Sequence, residues 1–283
     1  MNPLLAQIEI ENLHFTYAGT QSPSLQEINL TIEKGDFIIL TGPSGCGKTT
    51  LCRCLNGLIP NFYNGDFEGT IKILGMDTRN RQISELARSV GFVFQNPENQ
   101  LFSLSVERDI AFGPENLGLQ REEIKKRVEW ALRVTGTENL RDYAPYELSG
   151  GQQQRVAIAS VLAMRPEIIV LDEPTSFLDP KASNDLLMTI SKLNDELGIT
   201  LILVEHRLDL ASKYAKRVLI MNEGRILLDG PPTKAYNEDV YLIGVGIPKV
   251  SLLFHLLRKD GIQIKKIPVD ISEAVQLLER KMK

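Results

Sequence analysis

The sequence predicts an α/β protein with an antiparallel β portion near its N-terminus and a helical appendage at its C-terminus. Apolar segments typical of buried strands alternate with amphipathic helical segments, which is the pattern of a sheet covered by helices. Two early segments instead alternate apolar and polar residues, as half-buried antiparallel strands do. The length of 283 residues suits one large domain, or one domain with an appendage.

Most of the strands are predicted in the N-terminal half. They are expected at residues 7–17, 25–35, 37–42, 70–75 and 90–95. A glycine-rich loop after the third strand opens a helix that runs to about Leu58. Helical periodicity extends from Glu107 to about Val134, and EEIKKRVEWALRV is its clearest amphipathic run.

The C-terminal half continues the alternation. The predicted order is helix 149–164, strand 168–174, helix 180–196, strand 200–206, helix 207–214 and hairpin 217–230. The remaining segment, 231–283, begins with two prolines and is predicted to be a helical extension.

Composition and charge exclude several classes of protein. A net charge of −4 and a pI near 5.6 supply no basic surface for nucleic acid. No run of about 18 or more apolar residues predicts a membrane span, and the N-terminus lacks the features of a signal peptide. Three cysteines without framework spacing indicate a reducing cytosol. Cys52 and Cys54 would point apart on a helix, so no metal site is predicted there.

The segment GPSGCGKT, residues 42–49, matches G-x-x-x-x-G-K-[ST] between a predicted strand and a predicted helix. Gly42, Gly45 and Gly47 allow the backbone to curl, so that its N–H groups point at phosphate oxygens. Lys48 adds a positive charge, and Thr49 offers a hydroxyl to Mg²⁺. A glycine-rich turn with an accidental lysine is the alternative, but the strand–loop–helix context favours a nucleoside triphosphate site.

The segment IIVLDEP, residues 168–174, places two carboxylates at the end of a predicted buried strand. In α/β sheets this end is where ligands bind. Asp172 suits Mg²⁺, directly or through water, and Glu173 can then polarise an attacking water near the terminal phosphate. A solvated acidic strand end is the alternative.

The segment LSGGQQQ, residues 148–154, places two adjacent glycines between a serine and three glutamines. Taken alone, it can be a helix N-cap serine behind a flexible loop. Together, GPSGCGKTT, LSGGQQQR, IIVLDEPTSFLD and VEH resemble the ATPase domain of an ABC transporter. The resemblance implies a P-loop NTPase fold that binds ATP and Mg²⁺, with an ABC-type antiparallel β portion and a helical subdomain.

The resemblance also implies that two subunits, identical or homologous, sandwich two ATP molecules head to tail. The LSGGQ segment would face the terminal phosphate held by the second subunit, at a helix start whose dipole favours an anion. The implied nucleotide contacts are Gly42, Pro43, Ser44, Gly45, Cys46, Gly47, Lys48, Thr49, Thr50, Ser149, Gly150, Gly151 and Gln152.

Further residues match the family one at a time. Tyr17 resembles the aromatic that stacks on adenine, or is a surface tyrosine of a strand. Gln95 resembles the glutamine that contacts Mg²⁺ and water and reports to the membrane subunit. His206 resembles the histidine that hydrogen-bonds the γ-phosphate, or is a structural strand-end histidine. Asp179 resembles the acidic residue that crosses the dimer interface, while Phe177 departs from the small residue usual in that loop.

A finer resemblance lies in residues 94–119, which are similar to ATPases of energy-coupling factor (ECF) transporters, including the cobalt and nickel group. These take up vitamins or metal ions through a transmembrane coupling protein and a substrate-binding membrane protein. The segment suits a docking groove in which apolar residues lie beside carboxylates, or else it is the core of the helical subdomain. The residues concerned are Leu101, Phe102, Leu104, Ile110 and Phe112, with Glu98, Glu107 and Asp109.

The resemblance implies an ABC ATPase domain over 1–230, with a helical subdomain at about 96–165. The extension 231–283 is similar to the ECF tail and is a possible dimerisation element. Its predicted apolar face at Val250, Leu253 and Leu257 is either core or subunit interface. The implied location is peripheral, on the cytoplasmic face of the membrane.

Three other functions compete with transport of the ECF type. A conventional ABC importer would use a soluble substrate-binding protein. A soluble ABC ATPase of DNA repair or translation would normally carry a coiled-coil insertion or two ATPase halves, and this sequence has neither. A non-hydrolysing scaffold would be expected to lack a key side chain, yet Lys48, Asp172, Glu173 and His206 are all present.

Overall fold

The strands form two sheets flanked by helices in this computed structural model, which describes residues 6–282. The predicted α/β class is confirmed, whereas residues 1–5 and 283 of the predicted domains lie outside the described residues. The strands are β1 Ala6–Tyr17, β2 Leu25–Glu33, β3 Phe37–Thr41, β4 Gly65–Ile73, β5 Met76–Asp77, β6 Val90–Val93, β7 Ile168–Asp172, β8 Thr200–Val204, β9 Arg217–Asn222 and β10 Arg225–Gly230.

The helices lie between and after these strands. They are α1 Lys48–Leu55, α2 Leu58–Asn61, α3 Ile83–Leu86, α4 Val106–Asn116, α5 Arg121–Thr135, α6 Gly150–Ala163, α7 Pro180–Leu197, α8 Leu208–Ala211, α9 Pro232–Ala235, α10 Glu238–Leu242, α11 Lys249–Lys259 and α12 Ile271–Met282. Among residues 6–282, none of these helices combines the length and apolar content needed to span a membrane.

One sheet is antiparallel, with strand order β2-β1-β4-β5, and the other has the order β10-β9-β3-β8-β7-β6. In the second sheet β9, β3, β8, β7 and β6 are parallel, and β10 closes a hairpin with β9 as predicted. The central strands β3, β7 and β8 are buried along their whole length. Continuous apolar strands of this kind occur where both faces of a parallel sheet are covered.

The parallel sheet separates two hydrophobic cores. Phe37 and Ile39 belong to a core built with helices α4 to α7, whereas Ile38 and Leu40 belong to a core shared with the antiparallel sheet and α1. Successive strand residues face opposite sides, so one apolar strand serves both cores. The loops at the carboxyl end of this sheet are therefore fixed from both sides.

Several predicted boundaries are wrong. The strands β6 and β8 end at Val93 and Val204, so Gln95 and His206 lie beyond them in loops. The helix predicted over 107–134 is two helices, because Gly118 adopts a left-handed φ of 71° after α4. The helix predicted over 207–214 is only the single turn α8.

The apolar surface predicted in 94–119 is wrong in part. Leu101 and Ile110 are buried in the core that α6 shares, so they cannot face a partner. Asp109 is buried as well, and its Oδ1 accepts hydrogen bonds from the backbone N–H groups of Phe102 and Ser103, each at 3.2 Å. Its carboxylate therefore holds the loop before α4 instead of facing a partner.

The other members of the predicted surface are exposed. Phe102, Leu104 and Phe112 are 66%, 74% and 45% exposed, and the rings of Phe102 and Phe112 meet edge to face with centroids 4.8 Å apart. Glu107 also lies at the surface, in an ion pair with Arg141 at 2.6 Å.

The apolar face predicted in the C-terminal extension is core only in part: Val250 packs against the small cluster of Phe254, Ile267 and Ala274, and the alternative of a subunit interface stays a prediction. Leu253 is 49% exposed, and α11 buries Ser251, Phe254 and His255 instead. Two of these buried residues are polar, and both are hydrogen-bonded to backbone carbonyl oxygens. Ser251 Oγ donates to the Pro268 oxygen at 2.7 Å, and His255 Nε2 donates to the Tyr236 oxygen at 2.8 Å. Hydrogen bonds to distant segments therefore help to determine which face of this helix is buried.

Candidate functional site

The loop between β3 and α1 has a shape that only glycine permits at two positions. A β-carbon on Gly42 would lie 2.1 Å from the carbonyl oxygen of Met221. Gly47 has a φ of 106°, and a β-carbon there would lie 2.5 Å from the carbonyl oxygen of Ser24. The loop is therefore held close against neighbouring backbone, where its N–H groups can form an anion-binding concavity.

Lys48 is the first residue of α1 and is nearly buried. Its Nζ donates to the carbonyl oxygens of Gly42 and Pro43, at 2.9 Å each. The ammonium thus lies over the loop with its charge available to a phosphate bound there. The side chain of Cys46 is buried beside it, so a contact of Cys46 with nucleotide would use the backbone.

A pocket of 360 Å³ opens in front of this loop. It brings together the loop with residues that follow β6, β7 and β8. The lining residues are Ser24, Ser44, Gly45, Gly47, Lys48, Thr49, Thr50, Gln95, Glu173 and His206. It lies at the carboxyl edge of the parallel sheet, where α/β proteins bind ligands.

Glu173 joins the three loops at this edge. Its Oε2 accepts hydrogen bonds from Gln95 Nε2 at 2.8 Å and from Ser176 Oγ at 3.2 Å. His206 Nε2 lies 3.3 Å from its Oε1. Glu173 has a left-handed φ of 49°, which is uncommon for a residue with a side chain.

Asp172 has a different environment from its neighbour. It is buried at the end of β7 and is hydrogen-bonded to Thr49. Burial, and then the nearby charge of Glu173, raise the pKa of the Asp172 carboxyl, whereas Thr49 and Lys48 act in the opposite direction. Two adjacent carboxylates with distinct surroundings can perform distinct tasks.

The donors at this edge fit Mg²⁺, which prefers oxygen ligands. Thr49 supplies a hydroxyl, Asp172 a carboxylate, and Gln95 an amide oxygen next to the same pocket. Within residues 6–282 no group of three or more His, Cys, Asp and Glu side chains is arranged to hold a metal by itself. Bound phosphates and water would therefore complete the coordination of the ion.

The LSGGQQQ segment starts α6, with Ser149 as its N-cap. Ser149 Oγ accepts from the backbone N–H of Gln152 at 3.4 Å, and the Gln152 side chain accepts from the Ser149 N–H at 2.9 Å. Ser149 and Gly150 are exposed, and Gly151 is half-buried. They line a separate pocket of 400 Å³, which shares no lining residue with the pocket of Lys48.

The profile of the ABC transporter family matches residues 25–176, which is more than half of the chain. The chain belongs to the ATP-binding domains of ABC transporters. It is an ABC ATPase, and its two sheets and helices have the fold of that family.

Two relatives illustrate the range of similar proteins. The ABC ATPase is 49% identical over 273 residues to a protein of Methanosarcina acetivorans described as an ABC transporter ATP-binding protein, with 96% of this chain and 42% of that protein covered. It therefore spans less than half the length of that relative. It is 44% identical over 280 residues to the energy-coupling factor transporter ATP-binding protein EcfA1 of Caldanaerobacter subterraneus subsp. tengcongensis, with 96% and 99% covered.

Two solved structures share the fold. The cbiO1 structure from Clostridium perfringens, part of the ABC transporter complex cbiONQ, has a TM-score of 0.75 and 36% identity, covering 89% of this chain and 99% of that one. The dimeric ATP-binding cassette MJ0796, bound to ADP and Pi, has a TM-score of 0.70 and 31% identity, covering 79% and 98%.

Asp179 of the ABC ATPase lies beside the Ser149 pocket and caps α7. Its Oδ1 accepts from the backbone N–H groups of Lys181 and Ala182 at 2.9 Å each. Phe177 lies in the same pocket and is 55% exposed, next to Gly150. Asp179 thus stabilises the start of α7, and its contact across a dimer interface stays a prediction.

Tyr17 ends β1 beside the loop helix. Its hydroxyl lies 3.3 Å from Thr50 Oγ1 and accepts a hydrogen bond from Arg53 Nη1 at 3.1 Å. Its ring meets Tyr63 edge to face, with centroids 6.2 Å apart. The ring is thus fixed next to the nucleotide loop, and its stacking on adenine remains a prediction.

Sequence reasoning missed three residues of this site. Ser176 binds Glu173, and Glu205 and Arg207 flank His206 with hydrogen bonds to the loop after β7. A signal for Glu205 was present, because an acidic residue directly after the apolar run TLILV needs buried hydrogen-bond donors.

Proposed function

We propose that this ABC ATPase hydrolyses ATP to energise uptake of a vitamin or a transition-metal ion through an ECF-type membrane transporter. The observation that carries the hydrolytic part is the convergence of Lys48, Glu173 and His206 on one 360 Å³ pocket at the carboxyl edge of the parallel sheet. The ECF part is supported by the relative EcfA1 and by the structure of cbiO1.

In the proposed reaction, the loop 42–49 binds the phosphates and Lys48 neutralises part of their charge. Thr49, Asp172 and Gln95 would hold Mg²⁺, which supplies charge stabilisation at the phosphoryl oxygens when bound. Glu173 orients the attacking water through its carboxylate. His206, whose Nε2 lies 3.3 Å from that carboxylate, is placed to donate a hydrogen bond to the terminal phosphate.

We further propose that two ATPase chains, identical or homologous, enclose two nucleotides. Ser149 and Gly150 are exposed at the positive end of α6, and their pocket is distinct from the phosphate pocket of the same chain. An anion in that pocket would therefore be supplied by a second chain. The dimeric nucleotide-bound cassette among the similar structures supports the same arrangement.

The proposed contact with the membrane partner is the docking surface, defined as Phe102, Leu104 and Phe112. These exposed apolar side chains suit the apolar face of a partner helix, with the exposed Glu98 able to pair with a basic residue at its rim. Glu107, also at this rim, is already paired with Arg141 within the chain. On this proposal the partners are a transmembrane coupling protein and a substrate-binding membrane protein, and the chain lies peripherally on the cytoplasmic face; the relatives EcfA1 and cbiO1 support it.

The docking surface adjoins a groove of 330 Å³ that includes Phe94, Phe102 and Phe112. Phe94 is followed directly by Gln95, and the Phe94 N–H donates to Gln100 Oε1 at 3.2 Å. A helix that displaced Phe94 would therefore move Gln95, which binds Glu173. This contiguous path gives nucleotide binding a physical link to the membrane partner.

Co-purification from the source cells, followed by mass spectrometry, tests the proposal. A small substrate-binding membrane protein and one coupling protein support an ECF transporter. A soluble or lipoprotein substrate-binding protein with two permeases would leave only the broader ABC assignment, whereas recovery with no membrane protein would indicate a non-transport ATPase.

Two matched variants test the surface itself. Leu104→Ser should reduce recovery of the coupling protein about tenfold, because it replaces the most exposed of the three apolar side chains of the docking surface with a polar one. Leu242→Ser is the control, since Leu242 is similarly exposed at 80% but belongs to α10. Equal recovery with both variants would contradict docking at this surface.

A further inference from the structure

We propose that Glu205 and Arg207 are positioning residues that hold His206 in place for the reaction and tie it to the loop after β7. This inference rests on the proposed ATP hydrolysis by the same site. It concerns residues that do not line the phosphate pocket and act only through their neighbour.

The buried carboxylate of Glu205 binds both the backbone around His206 and the loop after β7. Its Oε1 accepts from the backbone N–H groups of His206 at 2.8 Å and Arg207 at 2.9 Å, and its Oε2 accepts from Thr175 Oγ1 at 2.5 Å. Three donors compensate the desolvation of the group. These hydrogen bonds fix the backbone at His206 and Arg207.

Arg207, which follows His206 in the sequence, makes a second connection to the chain after β7. Its Nη1 donates to the carbonyl oxygen of Leu178 at 2.8 Å and to Ser183 Oγ at 3.2 Å. The Leu178 N–H donates to the Thr175 carbonyl oxygen at 3.0 Å, so the residues bound by Glu205 and by Arg207 belong to the same turn. The segment 205–207 and the segment 175–178 are thus joined at two points.

His206 depends on these ties because its own packing is sparse. Its side chain is 42% exposed, and its Nε2 approaches Glu173 Oε1 at 3.3 Å. Leu178 also lines the Ser149 pocket. A change in that pocket would therefore shift the segment 175–178 and carry His206 with it.

The first test compares two substitutions of Glu205 in the assembled transporter. Glu205→Ala should lower kcat about ten- to a hundredfold while changing KM for ATP less than about threefold, since nucleotide contacts remain. Glu205→Gln should keep kcat within about threefold, because its amide oxygen can accept from both N–H groups and its NH₂ can donate to Thr175.

The second test asks whether both residues act through His206. In a His206→Ala background, Glu205→Ala and Arg207→Ala should each lower kcat by less than about twofold, although Arg207→Ala alone lowers it about tenfold. Arg207 is exposed, so its substitution tests the idea even where Glu205→Ala fails to fold. A merely structural role would lower kcat equally in both backgrounds.

Asn194→Ala is the matched control for lost buried hydrogen bonds. Asn194 is buried and donates to the carbonyl oxygens of Ile199 at 2.6 Å and Gly35 at 3.2 Å, away from the phosphate loops. It should lower Tm without lowering kcat of the folded protein. Wild-type kcat in Arg207→Ala, or equal losses with and without His206, would overturn the inference, whereas an inactive wild type would refute the hydrolysis itself.

Discussion

Substitution of Glu173 by glutamine separates binding from hydrolysis most directly. The variant is isosteric, and one amide oxygen can keep the bonds that Oε2 receives from Gln95 and Ser176. The amide nitrogen then replaces Oε1, which lies 3.3 Å from His206 Nε2, so at most one contact changes. The structural cost is about 1 kcal/mol, the typical net value of one hydrogen bond.

The kinetic effect should be much larger than this structural cost. A positioned general base contributes about 10²- to 10⁴-fold, which corresponds to about 2.7–5.5 kcal/mol of activation free energy. Steady-state phosphate release in the assembled complex should therefore fall by that factor, while ATP affinity stays within about threefold. Ser176→Ala is the control, because it removes one bond to the same oxygen and leaves the carboxylate. Turnover of Glu173→Gln within about tenfold of wild type would refute the role of Glu173.

Three further predictions concern other parts of the site. Lys48→Ala should weaken ATP binding about tenfold or more, measured by titration calorimetry, because it removes the buried cation above the loop; unchanged affinity would contradict this. Ser149→Arg in a Glu173→Gln background should leave ATP binding intact but keep the protein monomeric by gel filtration, and an ATP-stabilised dimer would count against the two-chain site. Asp172→Asn should raise Tm of the nucleotide- and Mg²⁺-free protein more at about pH 7.5 than at about pH 4. Its folded pKa is raised, so the wild type loses stability as the pH rises from the ordinary carboxyl pKa towards the raised one; a Tm difference independent of pH would contradict this assignment.

Features set by local chemistry were predicted well from the sequence. Strand β3 and the start of α1 followed from an apolar run, a glycine-rich loop and one lysine. Ser149 is the N-cap that its side chain favours, with Gln152 completing a capping box. The buried strand before Asp172 likewise followed from four apolar residues. Each of these depends on neighbours within a few positions of the chain.

Features set by distant partners were not predictable in this way. Asp109 looked like a surface carboxylate of a helix, but its partners are two N–H groups of the preceding loop. The face of α11 predicted from Val250, Leu253 and Leu257 did not include Ser251 and His255, yet both point inward to carbonyl oxygens of other segments. Glu205 was overlooked because its donor Thr175 lies thirty positions earlier in the chain. The side-chain pattern can show that such a group needs hydrogen-bond partners, but it does not show which distant segment supplies them.

The contacts of Glu173 explain how one carboxylate can make hydrolysis depend on two distant surfaces. Gln95, which donates to it at 2.8 Å, follows the groove residue Phe94 at the docking surface. His206, at 3.3 Å, is tied through Arg207 to the segment that lines the Ser149 pocket. Oε1 has one contact and can still accept a hydrogen bond from a water, so a movement of Gln95 or His206 would change where Glu173 holds that water. On the proposed function, the membrane partner and the second ATPase chain would therefore both influence the rate of ATP cleavage, which would couple hydrolysis to transport.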